Sequence, residues 1–294
     1  MKKEEAGVLM KANIVAFAVV CIVAVSGCTV DRPLAVSKRQ GESSAMKDEG
    51  AVTSAEALLE QAIEEQRLKQ LGVQPGTKKA EILLKWDRTI RNAPDLKARF
   101  AHGFPPPQSA AGQYLFADGL SRITPAQRAE FWSLYARVAA AHLPDDCYGE
   151  SNPAAITGRL MTFANFTDDE ADEYMGLSAA ILHASVRHDP AHVPTSSEYQ
   201  AATLALGKLM VTDIRDKADA GRFARIMVSP GSASVADKCW ITRVSIRAIE
   251  KLPATEKENA LASSFHRAAI AAASKLPQPA APAPTVAPAA AKQL

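Results

Sequence analysis

An all-α fold is what this sequence predicts, and three observations carry the prediction. Ser or Thr followed three residues later by Glu or Gln recurs at Thr53/Glu56, Thr124/Gln127, Thr167/Glu170, Thr195/Glu198 and Thr255/Glu258, with Ser234/Asp237 as a weaker relative. This is the reciprocal capping box, in which each side chain satisfies an orphan backbone N–H at a helix start. Apolar residues after these caps recur at intervals of three and four, the period of a helix with one buried face. Strand signals are sparse by comparison, with no convincing period-two run and no convincing hairpin. The expected architecture is a bundle of about eight helices, stapled by one disulfide, between a disordered N-terminal tether and a Pro/Ala-rich C-terminal tail.

Taken in order, the first helix is expected over 54–71 and the second over 78–91. The stretch 101–119, with Pro105-Pro106-Pro107, reads as too broken for a helix. It is expected as the longest ordered loop and as a sub-boundary between an N-terminal helical pair and the main bundle. Thr124 and Pro125 open a helix over 125–143, proline being favoured at the first helical position. Phe131, Leu134, Tyr135, Val138 and His142 form its core-facing stripe. Asn152 and Pro153 open 153–164, and Thr167 with Glu170 opens 168–187. The run 196–219 repeats the pattern through Tyr199, Thr203, Leu206, Met210 and Ile214. In 235–252, Trp240, Val244, Ala248 and Leu252 share one side while Cys239, Ile246 and Ile249 point elsewhere, so that helix should be covered on both sides. The last helix falls over 256–275. Met175, Met210 and Met227 read as core filler.

The ends of the chain carry a different signal. A basic start, an apolar run over 14–25 and the residues Val25-Ser26-Gly27-Cys28 make a secretory signal over 1–27. The run is shorter than the roughly 20 apolar residues of a membrane span. Glu4 and Glu5 sit poorly in a basic leader, and Met10 gives a better start. Val-Ser-Gly-Cys resembles the lipobox of bacterial lipoproteins. The resemblance implies a diacylglyceryl group on the Cys28 thiol, cleavage before it and acylation of the new amino group. Two or more chains anchor stably where one is marginal. Thr29, standing where that family's inner-membrane members carry Asp, implies the outer membrane of a Gram-negative cell, with the domain facing the periplasm. Residues 28–52 are polar and read as a tether with a reach of about 25–30 Å. Residues 277–294, with Pro277, Pro279, Pro282, Pro284 and Pro288, favour extended polyproline II and read as a disordered tail; a spacer into peptidoglycan or a partner's ligand is the other reading.

Export decides the cysteine arithmetic. Cys21 leaves with the signal and Cys28 takes the lipid, so the domain over 53–276 keeps Cys147 and Cys239. In an oxidising compartment such a pair bonds. A catalytic thiol or two separate buried cysteines are the rival readings, and neither has a supporting local motif.

The composition, 47% hydrophobic and 22% charged with a net charge of +2, is that of an ordinary globular chain with mixed charges. No basic stripe makes a nucleic-acid footprint. His183, His188 and His192, with Asp189 among them, form the one histidine cluster, but Pro190 interrupts the helix they would need; they read as a helix C-terminus. No metal and no cofactor are expected. The acids Asp168, Asp169 and Glu170 fill the first turn of a capped helix, where negative charge is favourable, and lack the glycine turn of a calcium loop. Gly231-Ser232 lacks the flanks of a nucleophile elbow.

Glu150-Ser151-Asn152-Pro153-Ala154 followed by Gly158-Arg159-Leu160-Met161 resembles the Glu-Ser, Asn-Pro and Gly-Leu-Met signature of lytic transglycosylases. The elements stand closer together here, and no Ala-Tyr-Asn-Ala-Gly element follows. The resemblance implies peptidoglycan as substrate and Glu150 as a general acid on the glycosidic oxygen. The competing reading makes Asn152 and Pro153 a helix cap and leaves Glu150 in a loop. Trp86 and Trp132 lie about a quarter-turn off their helices' apolar stripes, at the core edge or as anchors for a partner. The expected function is therefore a lipid-anchored periplasmic module acting by contact with an envelope protein: an assembly or secretion accessory, an inhibitor or an immunity-type protein. The peptidoglycan-cleaving enzyme is the alternative.

Overall fold

Helix follows helix through the computed structural model, which describes residues 49–277 except positions 102, 108 and 215. The described residues form eleven α-helices: α1 Glu49–Gln70, α2 Lys78–Asn92, α3 Pro94–Arg99, α4 Ala110–Arg122, α5 Pro125–His142, α6 Pro153–Leu160, α7 Asp168–Arg187, α8 Ser196–Asp213, α9 Lys217–Val228, α10 Val235–Glu250 and α11 Ala254–Ala273. Short 3-10 turns stand at Cys147–Gly149 and Pro230–Ser232, and no strand occurs among the described residues. Cys28, the leader and the C-terminal tail lie outside the described residues.

The capping chemistry read from the sequence sets most helix starts. Thr124/Gln127, Thr167/Glu170 and Thr195/Glu198 each make both hydrogen bonds of the box. Ser234 accepts the Asp237 N–H, and Asn152 accepts that of Ala154 ahead of α6. Two expected boxes behave differently. α1 begins at Glu49, which places Thr53 inside it. α11 begins at Ala254 after Pro253, with no side-chain cap, and Glu258 turns to Arg128 instead.

Three helices exceed the expected eight. The short α3 starts at Pro94, and α9 starts afresh where one helix over 196–219 was expected. α8 stops at Asp213, and Asp216 then accepts the Asp219 N–H as a new cap. The larger correction is α4, which occupies much of the supposed loop 101–119. Ser109 caps it by accepting the Gly112 N–H. Its glycines are close-approach points. A Cβ at Gly112 would collide with the Pro106 carbonyl oxygen, and one at Gly119 with that of Ile181.

α4 therefore sits centrally, packed against both α7 and α11. α5 contacts α7, α10 and α11; α8 contacts α10 and α11; α2 and α3 pack on α7. The main core includes Leu120, Phe131, Leu134, Ile181, Leu206 and Phe265, all nearly or wholly buried. Each such side chain contributes roughly 1.5–3 kcal/mol by leaving water. The expected stripe of α5 is buried through Phe131, Leu134, Tyr135 and Val138, but His142 is exposed in the last turn. α10 is covered on both sides, with Val244, Ala248, Cys239, Ile246 and Ile249 all buried.

Candidate functional site

Cys147 and Cys239 form a disulfide across 92 residues, their Cα atoms 5.5 Å apart. Cys147 follows the end of α5 and Cys239 lies in the second turn of α10, so the bond ties these two helices together. The turn it holds is unusual. Cys147, Tyr148 and Gly149 all have positive φ (49°, 61° and 70°), a conformation that costs non-glycine residues energy and persists where surroundings over-determine it. The Tyr148 N–H donates to Asp146 Oδ1 at 3.1 Å, and the Tyr148 hydroxyl to the His142 carbonyl at 3.1 Å.

Beside the staple, α5 and α10 diverge enough to leave a groove of about 480 Å³. Ala136, Ala139, Ala140, Leu143 and Ile246 give it an apolar floor. Small residues at helical spacing on α5 make the space. Arg137, Arg243, Arg247 and Lys251 form a cationic rim, with Glu250 the acid among them. Three of these cations are tied from outside. Arg137 pairs with Glu173 at 2.5 Å, Arg243 with Asp145, and Lys251 with Asp213 at 2.6 Å. Arg247 is exposed. Such a surface suits an apolar helix face flanked by acids, since fixed guanidinium groups match carboxylates in charge and planarity.

The sequence reading did not single out these cations, yet a signal was present. Arg243, Arg247 and Lys251 recur at intervals of four along α10 and its C-cap. Like charges at that spacing repel on an isolated helix, so such a row marks a face shaped by something other than helix stability.

The residues singled out in advance do not converge. Glu150 sits at the half-exposed end of the Cys147 turn, its Oε1 3.1 Å from Arg159 Nη2, and does not line the groove. Trp132 is wholly buried, its ring 5.4 Å from that of Tyr135, and so offers no surface to a partner; the quarter-turn offset carries it deeper into the core. Trp86 is partly buried on α7, where its indole N–H donates to Asp172 at 2.6 Å and its ring fits against Gly176. His183 Nδ1 lies 2.7 Å from Asp95, His188 ends α7 in the left-handed region, and His192 is exposed beyond it. Among the described residues no group of three or more His, Cys, Asp or Glu is placed to hold a metal ion. No described helix is long and apolar enough to cross a membrane.

Comparison with protein-family models, with curated proteins and with solved structures finds no match to this chain.

Proposed function

We propose that this chain is an outer-membrane lipoprotein whose periplasm-facing helical domain acts by binding an envelope protein, and that the α5/α10 groove receives that partner. The observation that carries the reading is the groove's chemistry, an apolar floor of about 480 Å³ under four basic side chains, beside a disulfide that holds its walls. The partner it fits presents an amphipathic helix with acidic flanks, which would bury its apolar face on Ala140 and Ile246 and meet Arg247 at the rim. Anchoring rests on the Val25-Ser26-Gly27-Cys28 element and its family resemblance.

The test is affinity capture from envelope extract with the full processed chain as bait. A protein recovered in near-equal amount, and lost with both Arg247→Glu and Ala140→Trp, supports the reading. Both positions are exposed, so neither variant should disturb the fold. Recovery of muropeptides without a protein would overturn it in favour of the Glu150 lyase. Anchoring is tested separately by globomycin-type inhibition, which should leave an unprocessed precursor.

A further inference from the structure

A second cavity, formed by different helices, has the make-up of a small-molecule site. It lies between α1, α2, α4 and α7, is walled on one side by residues 104–107, and measures about 370 Å³. That is within the range of about 300–1,000 Å³ typical of small-ligand pockets. We propose that it binds a small carboxylic acid with an aromatic body.

The apolar part of the argument rests on the walls. Phe104, Pro106, Phe116, Ile90 and Leu182 line the cavity, a surface of rings and aliphatic edges against which a flat apolar body packs. The walls are built in advance of any ligand. The Ser109 N–H and hydroxyl both donate to the Pro106 carbonyl, at 2.9 and 2.7 Å, and Ser109 Oγ accepts the Gly112 N–H at 3.0 Å. Only a glycine at 112 lets the proline segment lie this close to α4, because a Cβ there would strike Pro106. Phe100 stacks on Phe104 at 4.6 Å and fixes the other end of the wall. A preformed pocket of this kind spares a ligand the cost of ordering it.

The polar part rests on charge. Arg67, Asp87 and Arg91 line the same cavity. Both terminal nitrogens of Arg67 donate to Asp87, at 3.2 and 2.9 Å, and Arg91 donates through Nε at 2.7 Å. Desolvation raises the Asp87 carboxyl, but these two guanidinium groups outweigh it and hold the group below its ordinary value. One ionised carboxylate between two guanidinium groups leaves a net positive charge in the cavity lining. Arg91 reaches Asp87 through Nε, which leaves its planar end for a bidentate contact with a ligand carboxylate. The Tyr174 and Ser178 hydroxyls, one helical turn apart on α7, supply the few further polar groups that fix orientation.

The experiment is calorimetric titration of the full chain with 4-phenylbutanoate, using 4-phenyl-1-butanol as the uncharged analogue. The acid should bind at least tenfold more tightly than the alcohol. Arg91→Gln, at an exposed position, should erase that difference while leaving the chain folded and alcohol binding unchanged, at the cost of its one surface pair with Asp87. A second variant, Ser178→Met, fills the cavity and should weaken both ligands. Equal binding of acid and alcohol, undiminished acid binding by a folded Arg91→Gln chain, or no binding of either at millimolar concentration would overturn the proposal.

Discussion

Arg128 and Glu258, 130 positions apart, form a two-pronged ion pair in which the arginine is 1% exposed. Arg128 Nε and Nη2 reach the carboxylate, the latter at 2.7 Å, while Nη1 donates to the Ser121 and Ile123 carbonyls at 3.2 and 2.5 Å. One side chain thus joins the start of α5, the end of α4 and the start of α11. A buried charge is tolerated because nearly all its donors are used. Removing one partner leaves the other uncompensated, so Glu258→Ala should cost about 3–5 kcal/mol. Replacing both, as Arg128→Met with Glu258→Leu, should cost less than either single change, since it removes the desolvation penalty with the attraction. Urea denaturation of the three variants checks the ordering.

Reduction of the disulfide should act on stability and on the partner groove together. Opening a loop of 92 residues restores denatured-chain entropy worth about 4.6 kcal/mol in the chain-entropy model. It also frees the Cys147–Gly149 turn from its left-handed conformation and loosens α5 from α10. A Cys147→Ser, Cys239→Ser chain should unfold at a lower urea midpoint and, while still folded, bind the captured partner more weakly. Free-thiol labelling of the oxidised wild-type chain should find neither cysteine.

Asp95 sets an acid limit. This first-turn residue of α3 accepts from Arg187 Nε at 2.8 Å and lies 2.7 Å from His183 Nδ1, pinning α3 to the end of α7. Desolvation pushes its carboxyl up, yet the contacts with His183 and Arg187 prevail and lower it from 3.8 to about 2. A folded-state value below the unfolded one means stabilisation that is complete above 3.8 and lost as pH falls through about 2. Asp87 and Asp237, both lowered, add the same sign. Asp95→Asn should be less stable at neutral pH and show a flatter decline between pH 3.8 and 2, read from urea midpoints across that window.

Glu150→Gln should change little. Its partner Arg159 is more than half exposed, and a pair of that kind is worth at most about 1 kcal/mol. Unchanged urea midpoints and unchanged partner capture are the expected result. Loss of muropeptide release from peptidoglycan would instead give Glu150 the catalytic role.

What the sequence made legible was local. Thr124, Thr167, Thr195 and Ser234 announced their helices because capping acts within four residues and needs no tertiary partner. The disulfide was legible because the signal reading, by setting aside Cys21 and Cys28, leaves two cysteines to pair. The groove was not, since Ala136, Ala140 and Arg247 acquire meaning only when α10 lies beside α5. Trp132 left two readings open for the same reason: its offset from the α5 stripe makes a partner anchor only if nothing packs there, and the core covers it. Glu258 fitted a capping box by spacing, but the demand of buried Arg128 prevailed. Pro105-Pro106-Pro107 counted locally as a breaker of the whole stretch 101–119, while Ser109 and the packing of α7 and α11 make the residues beyond the prolines a helix.

Gly119 gives that last point an experimental sign. In an exposed helix interior, replacing glycine by alanine stabilises by about 1 kcal/mol, because the backbone loses less entropy on folding. Gly119 is buried on α4 where α7 crosses it, and a methyl group there would collide with the Ile181 carbonyl oxygen and crowd the Ile181 side chain. Backbone cannot rotate away as a side-chain tip can, so α4 and α7 would have to separate. Overpacking of this kind costs about 1–3 kcal/mol, enough to outweigh the gain in propensity. Gly119→Ala should therefore lower the urea midpoint, while Gly207→Ala, where a Cβ meets nothing within 4 Å, should raise it. A stabilised Gly119→Ala chain would mean that α4 does not approach α7 as closely as this packing requires.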